Sequence, residues 1–93
     1  MRFIWDENKN RTNRAKHGIS FDRATMVFED PALLTRPDST RTEEERWQSL
    51  GYAGQTLLAV THTYRLHEGE DICRIISARK ATALERTLYE EEP

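Results

Sequence analysis

The sequence predicts an α+β fold: a three- or four-stranded, mainly antiparallel sheet, with two helices from the N-terminal part and one C-terminal helix packed on it. Three observations carry this. The stretch TLLAVTHTYR, residues 56–65, is β-branched and apolar with period-two alternation. Asp6 and Ser20 are good helix N-caps, each standing before a segment that reads as helix. Read in order, the elements run β-α-α-β-β-β-α.

Arg2 to Trp5 alternates weakly and reads as a short strand. Asp6 then caps a helix from Glu7 to His17, which ends on Arg14, Lys16 and His17 with Gly18 as its C′ residue. That helix has almost no apolar residue beyond Ala15, and a helix polar all round is committed to a polar ligand or partner or is weakly packed. Ser20 caps a second helix in which Phe21, Ala24, Val27 and Phe28 form one apolar stripe, a core signature. Asp30-Pro31 ends it, because a residue before proline disfavours the helical region. Residues 31–45 read as a loop or irregular edge that closes on the acidic run Glu43-Glu44-Glu45.

Arg46 to Ala53 reads as a strand, with Gly54-Gln55 as its turn. In the strand Thr56–Arg65, alternation puts Leu58, Val60, His62 and Tyr64 on one face and Ala59, Thr61, Thr63 and Arg65 on the other. His67 to Asp71 is a polar hairpin loop. Ile72 to Ala78 follows as a strand, with Ile72, Arg74 and Ile76 on one face and Cys73, Ile75 and Ser77 on the other. A final helix from Lys80 to Glu91 is expected to bury Ala81, Leu84 and Leu88.

At 93 residues the chain has room for one domain, residues 1–93, and for one core. Mean hydropathy is −0.82 and charged residues make up 32%, but eight aromatics and several Ile/Leu/Val clusters argue against disorder. No apolar run reaches the roughly 20 residues of a membrane span, and the N-terminus lacks a signal peptide's apolar stretch. With Cys73 the single cysteine, a cytoplasmic protein without a disulfide framework is expected. The net charge of −2 does not mark a basic nucleic-acid binder, yet eleven of the fourteen basic residues are Arg. Arginine binds phosphate and carboxylate through a planar fork.

No phosphate-binding glycine loop, HExxH or GxSxG sequence occurs. His17, His62 and His67 lack ligand-like spacing and Cys73 has no paired cysteine, so neither a metal nor a cofactor is expected. What stands out is polar residues set into apolar strands: His62, Arg65 and Arg74, with Arg79 and Lys80 at the strand-to-helix junction. Such a set suits a phosphodiester, because Arg can stabilise the charge that builds on phosphorus and His or Glu can move the proton. RNA supplies its own nucleophile, the 2′-OH. The structural alternatives are that Arg74 pairs with Glu45 or Asp71 across the sheet and that His62 is a hydrogen-bonded half-buried histidine.

The segments Trp5-Asp6-Glu7-Asn8-Lys9, Lys16-His17-Gly18-Ile19-Ser20-Phe21 and Arg74-Ile75-Ile76-Ser77-Ala78-Arg79-Lys80-Ala81 resemble, in order and spacing, the BrnT family of ribonuclease toxins. The resemblance runs from Phe3 to about Glu92. It implies a RelE-like fold and a metal-independent endoribonuclease that blocks translation. It also implies a BrnA-like ribbon-helix-helix antitoxin as partner, with operator DNA contacted through the complex. On this sequence the resemblance implies that Arg65, Arg74 and Arg79 hold the phosphate, with His62 or Glu45 as base. Lys16, His17, Arg46 and Lys80 would contact RNA, with Lys16 or His17 also available as acid. The alternative is a catalytically weak or inactive antitoxin-binding module that acts in transcriptional autoregulation.

Overall fold

In the computed structural model, which describes residues 1–38 and 45–91, the chain is α+β with a mixed six-stranded sheet and three helices. The strands are β1 (Arg2–Ile4), β2 (Leu34–Pro37), β3 (Trp47–Ala53), β4 (Thr56–His62), β5 (Arg65–His67) and β6 (Glu70–Lys80). The helices are α1 (Glu7–His17), α2 (Phe21–Ala24), which runs on into a 3-10 turn over Thr25–Glu29, and α3 (Ala83–Glu91). The sheet order is β1-β6-β4-β3-β2, with β5 also paired to β6.

Six strands replace the expected three or four. β2 falls where a loop was expected, because Leu34 to Pro37 pairs antiparallel with Leu50 to Trp47. β1 joins β6 in parallel through Phe3↔Cys73, which makes the sheet mixed. The expected strand Thr56–Arg65 is two strands: β4 ends at His62, and β5 resumes at Arg65 in a tight hairpin with β6. That hairpin turns on Glu68 and Gly69, both at positive φ (50° and 80°), as two-residue hairpins of this kind require. Glu43 and Glu44 lie outside the described residues.

One irregularity decides the site. Thr61 pairs with Ser77 while His62 pairs with Ile75, so Ile76 is an extra residue in β6. Strict alternation puts Arg74 and Arg79 on opposite faces; the bulge brings both onto the face away from the main core.

The main core joins Ile19, Phe21, Ala24 and Val27 of the helical segments to Ala53, Leu58, Val60, Cys73, Ile75 and Ala78 of the sheet. The expected stripe is therefore core, with Phe28 half-buried at its margin. Burying a side chain such as Phe21 contributes about 2–3 kcal/mol. Where β3 passes over Val27, a side chain on residue 51 would meet Val27 Cβ and O at 3.0 Å, so Gly51 is what permits the close approach.

α1 is held by polar bonds rather than by an apolar stripe. Asp6 Oδ1 accepts from the backbone of Asn8 and Lys9 at 2.8 and 3.2 Å. Gly18 closes the far end at φ 75° and donates to Arg14 O. Its buried residues are Asn10 and Asn13. Asn13 accepts from Ala78 N at 3.1 Å and donates to Ala78 O at 2.8 Å and Ile19 O at 2.9 Å. The side chain thus stands in for a strand along β6 beyond the end of β1.

α3 departs most from expectation. It starts at Ala83, because β6 runs on through Arg79 and Lys80. Leu84 is 69% exposed, and the buried residue is Glu85. Thr82 Oγ1 accepts from Glu85 N and Glu85 Oε1 accepts from Thr82 N, a reciprocal N-terminal cap. Arg79 donates to both Glu85 oxygens at 2.8 and 2.9 Å, and Arg36 stands 3.8 Å away. Arg86 donates to the Tyr52 hydroxyl, and Tyr89 donates to Asp30 Oδ2 at 2.6 Å. Polar contacts to the sheet and to Asp30, after the 3-10 turn, therefore hold this helix where an apolar stripe was expected.

Candidate active site

Three of the residues nominated from the sequence line one cavity of about 380 Å³: Glu45, Arg65 and Arg74, together with Ile4, Thr63, Tyr64 and Ile72. The register explains the convergence. Arg65 pairs with Ile72 and Ile4 with Arg74, so these side chains share the face away from the main core. Thr63 N donates to Arg74 O at 3.0 Å and carries the chain across the gap between β4 and β5. Glu45 enters from just before β3. The cavity therefore places two guanidinium-bearing residues and one carboxylate around one space.

His62 is not part of that group. It faces the core side, is buried, and lines a second cavity of about 340 Å³ with Met1, Phe28, Leu33, Thr35, Trp47 and Tyr64. Its Nδ1 lies 3.0 Å from Thr63 O, which can only accept, so Nδ1 carries the hydrogen. Nε2 then accepts from Ser49 Oγ at 2.7 Å, and Ser49 accepts from Thr35 Oγ1 at 2.8 Å. This is the hydrogen-bonded alternative from the sequence, though the residue is buried rather than half-buried. Burial disfavours the charged ring and lowers its pKa, against an opposing pull from the Thr63 carbonyl. The Phe28 ring meets His62 edge-on at 5.0 Å.

The remaining nominated residues are dispersed. Arg79 shares the face of Arg74 but is committed to Glu85, which it holds at a pKa of about 2. The burial of Glu85 works against this shift, and the Thr82 backbone bond adds to it. Lys80 is exposed at the end of β6, and Arg46 is half-buried beside β3. Lys16 and His17 line a separate polar hollow along α1 with Asp6, Asn8, Lys9 and Thr12, closed by Ile76 and Ser77. Among the described residues, no three His, Cys, Asp or Glu side chains come together in a way that could hold a metal ion.

Sequence reasoning missed Thr63 and Tyr64 as lining residues, as well as the Thr35–Ser49–His62 chain. Tyr64 borders both cavities. Its phenol titrates above the ordinary range because of desolvation and then the nearby Asp71 carboxylate. The buried role of Glu85 did have a signal, the spacing Thr82-x-x-Glu85 of a capping box.

No described helix is long and apolar enough to cross a membrane. No curated protein matches the chain. Residues 5–85 match the family model described as ribonuclease toxin, BrnT, of type II toxin–antitoxin system. The match takes in α1, the whole sheet from β2 to β6 and the Arg79–Glu85 pair. The chain belongs to the BrnT family of ribonuclease toxins of type II toxin–antitoxin systems, a class in which the toxin is paired with an antitoxin partner.

Proposed function

We propose that this chain is a metal-independent endoribonuclease toxin that cuts RNA in the cavity bordered by Glu45, Arg65 and Arg74. The observation that carries this reading is the convergence of those three residues on one space from three separate segments of the chain. Each guanidinium offers a planar fork to the non-bridging oxygens of a phosphodiester. The forks gain strength as charge builds on phosphorus in the transition state. Glu45 takes the proton of the 2′-OH. The 2′-oxygen bonds to phosphorus as the bond to the 5′-oxygen breaks, and that oxygen takes a proton from solvent. The products are a 2′,3′-cyclic phosphate and a 5′-hydroxyl. Side chains supply all the charge this route needs.

Arg79, bound by Glu85, holds α3 rather than the substrate. His62, neutral and hydrogen-bonded through both ring nitrogens, supports the sheet beside the cavity. Lys16 and His17 offer a second polar surface to the RNA strand. The toxin works in the cytoplasm with a RelE-like fold and is neutralised by a BrnA-like ribbon-helix-helix antitoxin. The slightly acidic net charge supports leaving operator DNA to that antitoxin.

The test is induced expression of the wild type beside Arg65→Ala and Arg74→Ala in a bacterial host, following growth and total RNA. Arrest and RNA loss are expected from the wild type only. The purified wild type is expected to cut RNA in the presence of a chelator and to leave cyclic phosphate ends. Full toxicity from folded variants would remove the assignment. No arrest from a folded wild type would favour the inactive antitoxin-binding module.

A further inference from the structure

We propose that the cavity beside His62 is a nucleobase subsite, which takes a base of the same RNA strand whose phosphate lies at Arg65 and Arg74. The inference rests on the RNA-cleaving reading above and adds where the strand goes next. The cavity's volume of about 340 Å³ is within the range of small-ligand sites. Its walls are the Phe28, Trp47 and Tyr64 rings with Leu33, and none of its lining residues is an Asp, Glu, Lys or Arg. Aromatic walls suit the flat apolar face of a base, and such stacking is the usual way single strands are held. The arginine side chains that suit phosphates line the neighbouring cavity instead.

The two cavities are neighbours along one segment. His62 lines the apolar cavity, Thr63 and Arg65 line the basic one, and Tyr64 lines both. Three extended residues span about 10 Å, a reach that one or two nucleotides cover. Among the described residues, no strand is paired to the edge between them. β3 begins at Trp47, opposite His62, so no described strand covers the outer side of residues 63–67. Tyr64, at 45% exposure, stands on that edge. An RNA strand crossing it would lay its phosphate against Arg65 and Arg74 and turn the adjoining base in against Trp47.

The polar floor adds a preference. Thr35 gives its hydrogen to Ser49, since Ser49 gives its own to His62 Nε2. The Thr35 oxygen therefore presents only lone pairs, which match a base carrying an amino group.

The test uses the full chain carrying Trp5→Phe, so that Trp47 is the one remaining indole. The probe is a single-stranded 2′-O-methyl hexanucleotide, which binds but cannot be cut, alongside the same backbone with abasic sites. The intact probe is expected to change Trp47 emission and to bind roughly ten- to a hundredfold more tightly than the abasic one. Trp47→Leu should abolish that difference and Trp47→Phe should keep most of it. Arg65→Ala and Arg74→Ala should weaken both probes alike. The comparison of the two probes needs no change in the cavity, so it stands even if Trp47→Leu fails to fold.

Equal binding of both probes with unchanged Trp47 emission overturns the subsite, and the phosphate reading survives if both still depend on Arg65 and Arg74. Binding of neither probe overturns both readings. Base-dependent binding that ignores the two arginines keeps the subsite and removes the phosphate placement. A Trp47 response to purified antitoxin but not to RNA also overturns the subsite, because a protein side chain would then be its occupant.

Discussion

Replacing Glu85 by Gln tests whether one buried carboxylate holds α3 to the sheet. Glu85 is 6% exposed, accepts from both terminal nitrogens of Arg79, and caps the helix through Thr82 N at 2.9 Å. These bonds lower its pKa from 4.5 to about 2. At 1.36 kcal/mol per unit, that displacement corresponds to about 3 kcal/mol of stability at neutral pH. The Arg79 side chain is 36% exposed, and water around it reduces the figure to about 2–3 kcal/mol. Gln keeps the shape and one acceptor for Thr82 but loses the charge. For a chain of this size, a loss of that order lowers Tm by about 10–20 °C. The pH dependence fixes the cause. A carboxylate with a depressed pKa stabilises the fold above its unfolded pKa and loses that contribution as pH falls through its folded pKa. Urea unfolding of wild type and Glu85→Gln at pH 7 and again near pH 2 should therefore show a gap that is full at pH 7 and mostly closed near pH 2. A gap under about 1 kcal/mol at pH 7, or one that stays constant with pH, would refute the reasoning.

Three further outcomes follow from the same contacts. Asn13→Ala should destabilise by about 3 kcal/mol, because it strands the buried backbone groups of Ala78 and the Ile19 carbonyl; a urea midpoint close to wild type would show that α1 is held by something else. Wild-type stability should fall as pH drops from about 7.5 to 5, because the buried His62 has a lowered pKa and the unfolded chain takes up the proton near 6.5; the drop should be smaller in His62→Gln, and equal slopes in the two would refute it. Gly51→Ala should cost about 1–3 kcal/mol in thermal unfolding, since the added Cβ meets Val27 O at 3.0 Å and Leu33 Cδ1 at 3.2 Å; an unchanged Tm would mean that the 3-10 turn gives way freely.

Much of the fold could be read from local signals. Asp6, Ser20 and Gly18 mark helix ends because capping is settled by neighbours within a few residues. Alternation put His62 with the core side and Thr63 and Arg65 opposite, while Tyr64, in the break between β4 and β5, borders both cavities. The family resemblance was legible for the same reason, since it rests on short ordered motifs that the family model also matches. Glu45, Arg65 and Arg74 were nominated as chemically apt residues in unusual places, and the structure brings the three to the lining of one cavity.

The strand count, the parallel pairing of β1 and the seat of α3 were decided by partners far away in the chain. β2 is a strand because β3 offers it an edge, not because Leu34 to Pro37 has a strong preference of its own. Leu84 faces water while Glu85 is buried, because Arg79 and Arg36 wait on the sheet where an apolar stripe would otherwise dock. The faces of β6 could not be extrapolated past Ile76. One extra residue there reverses the alternation, joins Arg79 to the face of Arg74, and leaves Ala78 in the core. The sequence by itself determined where the first two helices begin, how the central strand alternates and which polar groups are out of place. Tertiary structure alone decided which of those polar groups meet, because a bulge is a property of two paired strands and is written in neither of them alone.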